Sequence, residues 1–186
     1  MRIIAGSRRS LPLKSVPGMG TRPTTDKTKE TLFNCMQAEI PGAYFLDLFA
    51  GCGQIGLEAM SRGAQYCVFV EKEKKAIACI EDNISFTKFN QETKLIPKEV
   101  LYALTELEGR YQFDIIFMDP PYNHELEKEV LIRLQNSPLL KEDGMIVVEA
   151  SLQTDFSYLD DLGYSIIKQK KYKNNTHIFI ERKRVH

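Results

Sequence analysis

The chain of 186 residues reads as an α/β domain, a mostly parallel sheet with helices on both faces. Three observations predict it. From residue 43 onward, short β-prone apolar runs alternate with segments whose apolar residues recur at helical spacing. A glycine cluster, Gly51, Gly53 and Gly56, follows the first run and opens the next helix. Later runs end in acidic residues, Glu71, Glu99 and Asp119, and sheets of this class bind ligands outside the carboxyl ends of their strands.

The elements follow in order. Residues 1–24 are rich in Gly, Pro and Arg around the β-prone Arg2-Ile3-Ile4-Ala5, which reads as an extended arm rather than a packed element. Thr25-Asp26 offers a helix cap, and Leu32, Phe33, Met36 and Ile40 mark a helix over 28–40 that Pro41-Gly42 stops. A strand over 43–49 precedes a helix over 55–62, closed by Gly63. A strand over 66–70 precedes a helix over 74–86, with Ala76, Ile77, Ile80 and Ile84 on one face. A strand over 94–97 and a helix over 100–107 come next, then a buried strand over 113–118. Leu126, Val130, Leu131 and Leu134 line a helix over 125–136, followed by a strand over 144–148. Runs 164–167 and 177–180 close the chain as a strand pair separated by a basic stretch, 168–173.

Composition narrows the class. Hydrophobic residues at 43% and charged residues at 27% fit a soluble globular chain, and no apolar run approaches the roughly 20 residues of a membrane span. The basic N-terminus lacks the apolar stretch of a secretory signal, so a cytoplasmic protein is expected. Cys35, Cys52, Cys67 and Cys79 form no CxxC pair, which predicts free thiols, no disulfide and no metal. Zero net charge hides an asymmetry. Residues 1–30 hold seven Lys/Arg against two Asp/Glu, and residues 168–186 hold seven against one. Basic ends around an acidic body suggest a polyanion-binding surface; solvated tails are the plain alternative.

The loop from Asp47 to Gly56 matches GxGxxG, and Glu71 lies 20 residues beyond Gly51. That spacing fits a nucleotide-like cofactor, with glycines admitting close backbone approach and Glu71 accepting from ribose hydroxyls. Asp47 discriminates among cofactors. A carboxylate beside the loop repels a pyrophosphate, whereas it favours the sulfonium and ammonium of S-adenosyl-L-methionine. Phe49, Lys72, Glu99 and Val100 fall at the same cleft; Glu99 is placed to accept from an adenine amine while Val100 packs on the ring.

Asp119-Pro120-Pro121-Tyr122 carries the chemistry. The exocyclic amine of a base is a poor nucleophile because its lone pair is delocalised into the ring. A carboxylate at Asp119 and a carbonyl at Pro120, accepting from its two N–H bonds, favour the pyramidal, cationic geometry that attack requires. The prolines fix φ. Tyr122 offers an aromatic face to an extruded base, worth ~1–3 kcal/mol. His124 reads as a loop residue, and His177 and His186 are assigned no role.

Together these residues resemble class I S-adenosylmethionine-dependent methyltransferases, and more closely the bacterial 16S ribosomal RNA guanine-N2 methyltransferase family. The resemblance runs through Met1-Arg2-Ile3-Ile4-Ala5-Gly6, Arg22-Pro23-Thr24-Thr25-Asp26, Glu30-Thr31-Leu32-Phe33-Asn34, the loop from Asp47 to Gly56, Phe69-Val70-Glu71-Lys72 and Asp119 to Tyr122. It implies a Rossmann-like, seven-stranded, mostly parallel sheet ending in an antiparallel hairpin. It also implies methylation of a guanine N2 amine in 16S ribosomal RNA within a small-subunit assembly intermediate, by a monomer. On this reading residues 1–40 are an RNA-contacting extension and residues 41–186 the methyltransferase domain. Arg22, Pro23, Thr24 and Lys27 would contact the RNA, with Lys29 on the same helix start. Cys52 stands where the family usually has serine, Glu99 where aspartate is usual, and residues 171–176 depart from the usual Tyr-Gly-x-Thr turn. Three rivals share parts of the pattern: an adenine-N6 methyltransferase, a nicotinamide oxidoreductase and a non-catalytic RNA-binding assembly factor.

Overall fold

The structure, a computed structural model, describes residues 1–18 and 24–185. In chain order its elements are α1 (Asp26–Cys35), β1 (Tyr44–Leu48), α2 (Gln54–Ser61), β2 (Tyr66–Val70), α3 (Lys74–Thr87), β3 (Thr93–Ile96), α4 (Val100–Leu107), β4 (Phe113–Met118), α5 (Leu126–Leu134), β5 (Leu140–Ser151), a single 3-10 turn (Ser157–Leu159), β6 (Tyr164–Lys171) and β7 (Asn175–Arg182). The seven strands lie in the order β3-β2-β1-β4-β5-β7-β6. Strands β1 to β5 pair in parallel, and β7 inserts antiparallel between β5 and β6.

Alternation along each strand sorts side chains between two cores. Phe45, Cys67, Phe69, Ile115, Phe117, Val147 and Phe179 face α1, α2 and α3. Leu46, Leu48, Val68, Val70, Ile116, Met118, Val148 and Ile178 face α4 and α5. Helices therefore cover both faces, as the alternation predicts. Three strands run longer than expected: β5, β6 and β7. Lys168, Lys170 and Lys171 alternate with no apolar partner on the exposed edge strand β6, so periodicity does not reveal it. Lysines on an edge strand also discourage pairing with a second sheet. Helix α1 ends at Cys35, short of the expected Ile40, where the chain tightens into turns ahead of Pro41.

Residues 1–18 are not a free arm. Ile3 and Leu13 join the core beneath α1 and α2. The carboxylate of Glu58 on α2, fully buried, accepts from the Ile4 and Ala5 amides at 2.9 and 3.1 Å. It also pairs with Arg62 at 2.9 Å and with Lys29 at 3.8 Å. Lys29 is itself fully buried and donates to the Arg2 carbonyl, so it is unavailable to RNA, contrary to the expectation for that helix start. Burial holds the Lys29 pKa below the usual lysine value, and the Glu58 charge opposes that shift. Gly6 passes so close to α2 that a Cβ would sit 1.8 Å from the Ser61 carbonyl oxygen. Removing one partner of a buried pair leaves an uncompensated charge, at a cost of about 3–5 kcal/mol. Glu58→Ala should therefore lower the urea midpoint of unfolding by an amount matching that cost, and a midpoint within error of the parent would refute the bracing role.

Candidate active site

Residues that follow strands β1, β2, β3 and β4 meet at the carboxyl edge of the sheet. After β1 the chain turns sharply, with Phe49, Gly51 and Gly53 at φ of 58°, 60° and 82°. Gly53 caps α2 in the left-handed region. The glycines have different reasons to be glycine. A Cβ on Gly56 would lie 2.3 Å from the Phe69 ring and 2.7 Å from the Cys67 sulfur, so α2 could not pack on β2. A Cβ on Gly51 would meet no protein atom within 4 Å, which leaves its surroundings open to a ligand.

Three side chains hold this loop. Asp47 is buried at 1% exposure, and its Oδ2 accepts from the Gly56 amide at 3.0 Å. Glu71 accepts from the amides of Gly51, Lys72 and Glu73 at 2.8, 2.8 and 3.0 Å. A carboxylate offers about four lone-pair sites, so one remains for a ribose hydroxyl. Asn83 of α3 donates to the Cys52 carbonyl at 2.9 Å and to that of Lys14 at 3.0 Å. Through Asn83 the N-terminal segment buttresses the glycine loop. The sequence carried no signal for this residue, an Asn inside a helix. Gln54, at the start of α2, has a buried Oε1 without a hydrogen-bond partner among the described residues. Such an orphan acceptor is suited to a donor on a bound ligand.

Glu99 caps α4, its carboxylate accepting from the Leu101 amide at 3.1 Å, and Val100 is buried beside it. Lys72 is exposed just past β2. Asp119 and Pro120 follow β4 directly, Asp119 two residues beyond Phe117 on the α1 face, and Tyr122 comes next but one at 41% exposure. Thr24 and Lys27 flank the start of α1. Arg22 and Pro23 lie outside the described residues. His124 is exposed in the loop before α5.

The electrostatics of this edge are one-sided. Burial pushes the Asp119 carboxyl well above the usual range, with the charges of Glu149 and Asp47 adding to it. Burial likewise raises Asp47, opposed by the Gly56 amide and reinforced by Glu71. The Tyr122 phenol is pushed up to about 12 by burial and by the charges of Glu149 and Asp119. No ion pair among the described residues brings a lysine or arginine to Asp47, Asp119 or Glu149. His177 was assigned no role from sequence, yet it lies here, with Nε2 3.0 Å from Glu149 Oε2. Its partner is 28 residues away along the chain, and only strand pairing reveals the contact.

An edge rich in carboxylates, with an orphan acceptor and an open glycine, suits a cationic ligand and disfavours a pyrophosphate. A hollow of about 460 Å³ lies at the opposite, amino ends of the strands, lined by Tyr44, Arg110, Tyr111 and Lys141. It gathers no such carboxylates. Among the described residues no cluster of His, Cys, Asp and Glu could hold a metal ion, the four cysteines are free, and no helix is long and apolar enough to cross a membrane.

Comparison with known proteins agrees with this architecture. The family described as conserved hypothetical protein 95 matches residues 1–181. YlbH of Bacillus subtilis is 36% identical over 99% of the chain and 100% of its own length. Ribosomal RNA small subunit methyltransferase D of Haemophilus influenzae is 33% identical over 91% of the chain and 88% of its own length. The solved structure of yhhF from Escherichia coli, 29% identical, covers 98% of both chains with a TM-score of 0.84.

A carboxyl that holds its proton more tightly folded than unfolded makes the folded state lose stability as pH rises from the unfolded pKa, about 4, through the raised folded value. Asp119→Asn removes that loss at one position. Its thermal midpoint relative to the parent should therefore climb as pH increases, and a gap independent of pH would refute the raised proton affinity.

Proposed function

The chain belongs to the conserved hypothetical protein 95 family, and from that premise we propose that it transfers a methyl group from S-adenosylmethionine to the N2 amine of a guanine in small-subunit ribosomal RNA. The observation that carries the reaction type is the acceptor pair at the end of β4, Asp119 with the Pro120 carbonyl, beside a glycine loop on an edge rich in carboxylates. The name borne by the Haemophilus influenzae relative supports small-subunit RNA as the substrate.

The bound donor supplies an electrophilic methyl on a cationic sulfur. Glu71 holds the ribose, and Gly51 admits the ligand against the backbone. Asp47 acts through its field from beneath the loop, because its Oδ2 is taken by the Gly56 amide. Asp119 and the Pro120 carbonyl accept the two N–H bonds of the amine and stabilise the charge that develops there. The exposed ring of Tyr122 stacks the extruded base. RNA phosphates are held farther out. Lys27 at the start of α1, and Lys168, Lys170, Lys171 and Lys173 on β6 and its turn, are exposed and free of ion pairs among the described residues. From the sequence, Arg22, Pro23 and Thr24 are further candidate RNA contacts.

Asp119→Ala should abolish transfer while leaving donor affinity nearly intact, and Glu71→Ala should weaken donor binding first. Equal losses of affinity and rate in Asp119→Ala would overturn this division of labour. Labelled methyl transfer to small-subunit RNA, followed by nucleoside analysis, should yield N2-methylguanosine; N6-methyladenosine would replace guanine with adenine as the target. RNA affinity should fall steeply with salt if the lysines contact phosphates, and a flat response would remove them from the interface.

A further inference from the structure

Glu149 and His177 are direct cross-strand partners on β5 and β7, and the chemistry above uses neither. His177 is wholly buried and Glu149 is 6% exposed. Both imidazole nitrogens are engaged. Nε2 lies 3.0 Å from Glu149 Oε2 and Nδ1 lies 3.0 Å from the Tyr172 hydroxyl. The tautomer that satisfies all three groups has Nε2–H donating to the carboxylate and the phenol donating to Nδ1. The other oxygen, Glu149 Oε1, accepts from Asn175 Nδ2 at 2.8 Å. This polar network continues a layer that is otherwise apolar, formed by Phe117, Val147 and Phe179. A buried charged network rarely surpasses apolar packing in stability, so its position asks for another explanation.

Its neighbours supply one. Glu149 faces Asp119 and Tyr122, with Asp47 of β1 beyond Asp119. Asn175 lies at the Tyr122 hydroxyl. Tyr172 sits between Lys171 and Lys173 in the β6–β7 turn, with Cys35 of α1 nearby. We propose, resting on the reading above, that Glu149 and His177 are positioning residues for methyl transfer. They hold Tyr122 and the lysine-bearing turn in register with Asp119, and they set a fixed negative charge behind Asp119.

That charge has a use in the reaction. While the donor is a sulfonium, its positive charge keeps Asp119 ionised and able to accept from the amine. Transfer forms the N–C bond as the S–C bond breaks, and the sulfur leaves neutral with the bonding pair. The surplus proton on the amine nitrogen then passes to Asp119, whose proton affinity burial raises and the Glu149 carboxylate raises further. His177 keeps the Glu149 carboxylate aimed and hydrogen-bonded throughout.

The test is single-turnover methyl transfer against pH for the parent, E149Q, H177F and H177Q, with donor affinity and thermal midpoint measured on the same preparations. E149Q should move the acid limb of the rate profile to lower pH, with a loss of donor affinity much smaller than the change in rate below that limb. H177F should lower the rate by on the order of tenfold, the equivalent of one charge-assisted hydrogen bond. H177Q keeps an N–H donor and should recover part of that loss. An acid limb in E149Q that coincides with the parent, or H177F at the parental rate, overturns the proposal. So does parallel loss of rate, donor affinity and midpoint in every variant, which marks a purely structural pair. A parent that binds donor but methylates no RNA defeats the functional reading instead.

Discussion

Asp47, Asp119 and Glu149 continue one face of the sheet at its carboxyl edge, and no ion pair with a lysine or arginine relieves them among the described residues. Strand register creates this row. Asp47 pairs with Phe117, and Phe117 pairs with Val147, so the polar residues after β4 and within β5 fall in line with the β1 carboxylate. Behind them the same face is wholly apolar. The row therefore sits where low-dielectric walls amplify its field. A negative charge brought here meets repulsion, whereas a sulfonium relieves it. On the proposed function, the same field would keep nucleic-acid phosphates off the floor of the site and leave them to the rim, where the lysines of β6 and its turn are exposed.

A charged edge of this kind needs rigid support, since each carboxylate would otherwise move toward water. The support is hydrogen bonding from backbone amides, three to Glu71 and one to Asp47. The loop that supplies two of those amides is in turn anchored by Asn83, which also grips Lys14 of the N-terminal segment. That segment is tied to α2 through Glu58. A path of hydrogen bonds thus connects the first residues of the chain to the glycine loop. The extension and the sheet domain, separable on paper, share one core.

How much of this was legible depended on whether the signal was local. The centres of β2, α4 and β4 were readable because apolar periodicity is a local property, and their bounds match. The glycine loop and Asp119-Pro120-Pro121-Tyr122 were readable because their chemistry depends on adjacent residues. Lys29 was misread because a lysine near a helix start looks solvated, and only packing against Glu58 shows otherwise. The N-terminal segment was misread because it is held through its own backbone amides, which donate to Glu58, Ser61 and Asn83 and leave no side-chain pattern in the segment. His177 and Glu149 were missed because their contact spans 28 residues of chain. A pair joined only by strand register has no signature in either segment alone. Lysines hid β6, since a charged edge strand shows no alternation of apolar residues.

Backbone strain points to the same edge. Five non-glycine residues adopt positive φ among the described residues: Ser10, Phe49, Lys88, Asn123 and Glu125. Three of them flank the site, Phe49 in the glycine loop and Asn123 and Glu125 just after Tyr122. Each such residue costs of order 1 kcal/mol and persists only where surrounding structure enforces it. Around Phe49 the enforcing contacts are the amide bonds to Glu71 and Asp47. After Tyr122 the chain must leave β4, present an aromatic face outward and re-enter as α5 within a few residues. Two prolines restrict the start of that path, and left-handed turns at 123 and 125 complete it. Strain gathers in the two loops between which the proposed reaction would bring ligand and amine together.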